Sequence, residues 1–74
     1  MGELAGFSGK EVLTILYKFG FVLVSQKGSH IKLRKIVSGK KITVIVPDHT
    51  ELAVGTLKNV LRQAQISMQE FLSA

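Results

Sequence analysis

The sequence predicts a two-layer α+β domain in the order helix, three-stranded antiparallel meander, helix, with a short helical tail. Three observations predict it. Apolar residues recur at helical spacing from Val12 to Phe19, the period drops to two after Gly20 with turn signals at Lys27-Gly28 and Ser38-Gly39, and helical spacing returns after Ala53. At 74 residues the chain is expected to form one domain over 1–74, with a core over about residues 7–72, and most of its apolar side chains are needed for that core.

The first helix is expected over about residues 8–19. Ser8 is a good N-cap and Glu11 stands three positions later, so the pair can form a capping box, while Phe7 and Val12 occupy the positions of a hydrophobic staple. Val12, Leu13, Leu16 and Phe19 form the apolar stripe, widened by Ile15, and Gly20 suits the left-handed residue that ends a helix.

Phe21 to Gln26 is rich in strand formers, Ser29 to Lys35 alternates apolar with basic residues, and Lys41 to Val46 alternates again until Pro47 stops the ladder. Two-residue hairpins would set Val24 opposite Ile31, Val22 opposite Leu33, Leu33 opposite Val44 and Ile31 opposite Val46. One face then collects Val22, Val24, Ile31, Leu33, Ile42, Val44 and Val46 as core. The other collects Phe21, Leu23, Ser25, His30, Lys32, Arg34, Lys41, Thr43 and Ile45. Asp48 to Leu52 reads as a loop. A second helix begins near Ala53 or Val54 with Leu57, Val60, Leu61 and Ala64 at core spacing, and Ser67 with Glu70 opens a short terminal helix through a second capping box. Packing both long helices on the apolar sheet face leaves the His30 face for solvent or a partner.

Composition narrows the chemistry. The absence of cysteine excludes disulfides and a thiolate nucleophile, and two histidines argue against a structural zinc site. Five acidic residues leave no credible Ser-His-Asp arrangement or carboxylate pair, and no cofactor is expected. No apolar run approaches the ~18 residues that span a bilayer, and Met1 to Gly6 lacks a signal pattern. A soluble cytoplasmic protein without membrane attachment is expected. Between Glu11 and Asp48 there is no acid, while Lys18, Lys27, Lys32, Arg34, Lys35, Lys40 and Lys41 fall there. That asymmetry is the footprint of a polyanion partner, with a merely solvated basic face as the competing reading.

On an extended strand His30, Lys32 and Arg34 share one face, with Lys32 about 7 Å and Arg34 about 13 Å along the strand from the imidazole. A group that moves protons near neutral pH beside fixed cations suits cleavage of a phosphodiester, and RNA brings its own nucleophile in the 2′-hydroxyl. On the residues alone His30 is a candidate general base, with a structural or merely exposed histidine as the competing reading, and Lys27, Lys32 and Arg34 are candidate phosphate contacts. Lys41, on the same face, is a further candidate phosphate contact. Ser29 could donate a hydroxyl to phosphate, although turn chemistry explains it equally well, and Gly28 serves the turn's backbone angle. His49 is a second proton-transfer candidate, or a solvated loop residue. Phe7, Phe19 and Phe71 read as core.

The Ser8-Gly9-Lys10-Glu11-Val12-Leu13 opening, the Gly20-Phe21 junction, Gln26-Lys27-Gly28-Ser29-His30, the Val46-Pro47 strand end, His49, and Gly55-Thr56-Leu57 through Leu61-Arg62-Gln63-Ala64 together resemble the HicA family of toxin endoribonucleases, from about Phe7 to Leu72. Ala53 and Val54 depart from the lysine and proline common before the glycine-threonine pair, and Thr50 replaces a glycine common after the second histidine. The resemblance implies a fold like the double-stranded RNA-binding domain and messenger RNA cleavage without a metal. It also implies neutralisation by a HicB-type antitoxin, and places the catalytic histidine at His30 within Gly28-Ser29-His30. Phe21 and Leu23 could then stack on a base or meet the antitoxin, and the free form is expected to be a monomer. A non-catalytic RNA-binding module on the same surface is the alternative.

Overall fold

The computed structural model describes residues 3–74, and its elements follow the predicted order: α1 (Gly9–Lys18), β1 (Val22–Lys27), β2 (His30–Val37), β3 (Lys40–Pro47), α2 (Val54–Ala64) and α3 (Met68–Ser73). The strands form one antiparallel sheet in the order β1-β2-β3, covered on one face by the helices. The first two of the 74 residues, Met1 and Gly2, lie outside the described residues.

Both capping boxes form. Ser8 Oγ accepts from the Glu11 N–H at 3.0 Å while Glu11 Oε1 accepts from the Ser8 N–H at 2.8 Å, and Ser67 and Glu70 repeat the arrangement at 3.0 and 2.9 Å. At the other end of α1, Gly20 takes a φ of 93°, its N–H donates to Tyr17, and the Phe21 N–H donates to Leu16. This is a Schellman closure, in which the residue after the glycine folds back on the third-last helical residue.

That closure corrects one expectation. Phe21 does not belong to the outward sheet face; it is buried with Leu16, because the helix end, and not the strand period, sets its direction. β1 starts one residue later, at Val22.

The register of β2 on β3 is the expected one, with Leu33 opposite Val44 and Ile31 opposite Val46 around a Ser38-Gly39 turn. Ser38 and Gly39 both have positive φ, as a type I′ hairpin requires. The register of β1 on β2 differs. Its turn residues are Gly28-Ser29, so Lys27 pairs with His30, Gln26 with Ile31 and Ser25 with Lys32. The pairing then slips between Leu23 and Ser25, leaving Val24 as a β-bulge, and beyond it Leu23 faces Leu33 and Val22 faces Arg34.

Val22 and Val24 are therefore not core residues, as the alternation suggests; they are 61% and 42% exposed. The physical reason is twofold. The added residue inverts the alternation of the first half of β1, and both long helices pack chiefly on β3, so no layer covers the edge formed by β1. The buried cluster joins Val12 and Leu16 of α1, Ile31 and Leu33 of β2, Val44 and Val46 of β3, Leu57, Val60, Leu61 and Ala64 of α2, and Phe71 of α3. Each fully buried Leu or Val contributes about 1.5–3 kcal/mol. Phe71 also meets Phe7 edge-on, with ring centroids 5.1 Å apart.

Candidate nucleic-acid interface

The uncovered face of the sheet follows from the register. Its rows run Lys27, His30, Pro47; then Ser25, Lys32, Ile45; then Val22, Arg34, Thr43; and finally Ile36, Lys41. Alternation along β2 directs every basic residue of that strand except Lys35 outward together with His30. Lys35 turns to the helical side, where its ammonium lies 5.7 Å from the Phe21 ring centroid.

The first two rows enclose a surface groove of about 330 Å³ lined by Ser25, Lys27, His30, Lys32 and Ile45. Lys27, expected as part of the turn, is instead a strand residue directly opposite His30. His30 and Lys27 are exposed and Lys32 is half-buried, so the imidazole and two ammonium groups line one accessible concavity. Ser25 and Ile45 complete it. The alternation places both on this face, but no sequence signal marks them as groove residues, because that depends on the hairpin register.

The other candidates stand at increasing distance. Ser29 occupies the turn, exposed, with its carbonyl accepting from the Asp48 N–H at 2.7 Å. Arg34 continues the row beyond Lys32, and its Nε is closed off from solvent without a hydrogen-bond partner. Lys41 pairs with Ile36 at the far end of the sheet, about 20 Å along β2 from His30. It lines a different depression with Val37, Ser38, Lys40, Ile42 and Gln65. His49 is also set apart, lining a depression of about 270 Å³ with Ser8, Lys10, Asp48 and Thr50.

A set of backbone ties holds the turn that carries His30. Gln26 Nε2 donates to the Gly28 carbonyl at 2.9 Å and to Asp48 Oδ2 at 3.4 Å. Gly28 adopts a φ of 56°, the positive angle that the first position of a type II′ hairpin demands. The loop after β3 is anchored in turn to the start of α1, where the Gly9 N–H donates to the His49 carbonyl at 2.9 Å.

Residues 9–66 match the family model of the HicA toxin of bacterial toxin-antitoxin systems. The chain belongs to the HicA toxin family. No curated protein matches it. As a HicA toxin it is one half of a toxin-antitoxin pair, so an antitoxin is its partner. The matched span runs from the first residue of α1 past the end of α2, and contains the His30 turn, the outward sheet face and the loop that ties them. Among the described residues, no helix of this HicA toxin is long and apolar enough to cross a membrane, and no cluster of three or more His, Cys, Asp and Glu side chains is placed to hold a metal ion.

Proposed function

We propose that the chain is a metal-independent endoribonuclease that cleaves messenger RNA, with His30 as general base. The observation that carries this reading is the groove in which His30, Lys27 and Lys32 converge. Imidazole Nδ1 or Nε2 removes the proton of the ribose 2′-hydroxyl, and the freed oxygen attacks the adjacent phosphorus. The P–O5′ bond breaks, and the products are a 2′,3′-cyclic phosphate and a 5′-hydroxyl that takes up a proton. General base catalysis of this kind contributes typically ~10²–10⁴-fold in rate.

Lys27 and Lys32 flank the reacting phosphate and offset the charge that grows on its equatorial oxygens. Ser29 donates its hydroxyl to a phosphate oxygen beside the turn. Arg34, on the outward face beyond Lys32, holds the neighbouring phosphate, and Lys41 reaches the strand farther along the same face. The family's antitoxin is of the HicB type, and the toxin acts in the cytoplasm as a monomer until that partner binds.

The experiment is incubation of the purified protein with labelled single-stranded RNA in the presence of a chelator. Cleavage to cyclic-phosphate ends supports the reading. Salt-dependent binding with intact RNA would identify a binding module instead, since phosphate contacts alone give affinity without chemistry.

A further inference from the structure

The two edges of the sheet are treated differently. On β3 the Ile45 N–H donates to Gln63 Oε1 of α2 at 3.1 Å, so a helix side chain occupies one of that edge's main-chain groups. On β1 no main-chain group of Val22 to Ser25 meets a partner beyond β2 among the described residues. An open edge is a template for another strand.

That edge is also apolar. Val22, Leu23 and Val24 stand exposed in succession, and Ile36 and Val37 extend the apolar surface at the adjoining end of β2. Leu23 remains 53% exposed although it lies opposite Leu33 on the core side of the sheet. Cations outnumber acids around it: Lys18 in the last turn of α1, Lys27 at the end of β1, and Lys32 and Lys35 on the neighbouring strand, against Asp48, held by Gln26, and Glu70, which interacts with Lys35. A second copy of this chain, with its own net charge of +5, is repelled from such a border.

We propose that β1 is a docking edge for the antitoxin, which adds an extended, acid-rich segment with alternating apolar residues as a fourth strand. Main-chain hydrogen bonds to β1 supply affinity and the apolar side chains cover Val22, Leu23 and Val24, a β-augmentation. Ser25 and Lys27 belong to both this strand and the His30 groove, so a strand laid beside them narrows the groove from its open side. The inference rests on membership of the toxin family and not on the nuclease reading.

The test is amide hydrogen exchange on the toxin alone and on the complex with its cognate antitoxin, combined with affinity measurements for Leu23→Glu and Leu23→Lys. The expected result is at least ~10-fold slower exchange for β1 amides in the complex. Leu23→Glu should weaken binding by more than ~10-fold, and by more than Leu23→Lys does, because only glutamate repels an acid-rich strand. Unchanged exchange along β1, or equal weakening by the two substitutions, would overturn the proposal. The exchange map is read whether or not the free protein cleaves RNA, so its failure is separate from that of the nuclease reading.

Discussion

The main-chain N–H of Asp48 donates to the carbonyl oxygen of Ser29 across 2.7 Å, so the loop after β3 is fastened to the turn from which His30 departs. Gln26 doubles the fastening by donating to both Gly28 and Asp48. A histidine one residue beyond a glycine-containing turn would otherwise share that turn's freedom. These ties make its position a property of two strands and a loop together.

Gln26→Ala should therefore lower cleavage by roughly 10-fold, toward the ~10²-fold that an ångström of misplacement costs. The hydrogen bonds it removes are exposed, so stability should fall by about 1 kcal/mol or less. Single-turnover cleavage and denaturant unfolding of the same variant separate the two effects. Undiminished cleavage would show that His30 needs no such support.

Phe21 and Val22 provide a direct test of the β1 register. Phe21 is 2% exposed at the Schellman closure of α1, whereas Val22 stands on the outer face opposite Arg34. Phe21→Ala should cost about 3–5 kcal/mol. Val22→Ala should change stability by no more than about 0.5 kcal/mol. Urea denaturation of the two variants checks this, and the opposite ranking would restore the uninterrupted alternation that the sequence suggests.

The same pair shows where the sequence was legible. Capping boxes are written in four local residues, so the starts of α1 and α3 could be read directly. The β2–β3 register was legible because a tight Ser38-Gly39 turn joins two strands whose alternation is unbroken. β1 misled because a bulge has no residue signature of its own; Val24 is a good strand residue in either phase. Its exposure is equally a matter of where the helices sit, which no local pattern reports. The basic outward face survived the error because moving the turn by one residue changes the pairing by two, and a shift of two keeps Ser25, His30 and Lys32 on one side. Lys27 gained most from the corrected turn, moving from a turn position to the place opposite His30.

Gly9 marks a second tight point. A Cβ there would overlap the carbonyl oxygen of Pro47, with Asp48 Cα 3.1 Å away, and both obstacles are backbone. Gly9→Ala should cost about 1–3 kcal/mol, the usual range for forced overpacking. Thermal unfolding measures it, and a wild-type melting temperature would contradict the close approach of α1 to the end of β3.

Glu70 gives the fold a pH dependence of known sign. Its carboxyl is held below its ordinary value of 4.5, first by the hydrogen bond from the Ser67 N–H, then by the Ser67 side chain, with Lys35 adding attraction. The folded state thus binds this proton less readily than the unfolded state. The stabilisation is present above about pH 4.5 and is lost as pH falls through the lowered folded value. Carboxyl titration by NMR should place Glu70 below 4.5 and return it toward that value in Ser67→Ala; titration at or above 4.5 in the unsubstituted protein would contradict the capping box.

The most direct measurement of the central claim is RNA cleavage by His30→Ala beside the unsubstituted protein, with RNA affinity determined for both. His30 is exposed and contributes nothing to the buried core, so the variant should fold and bind RNA as before, while cleavage falls by about 10²-fold or more. A His30→Ala protein that still cleaves at the original rate would contradict the assignment of the imidazole as the base.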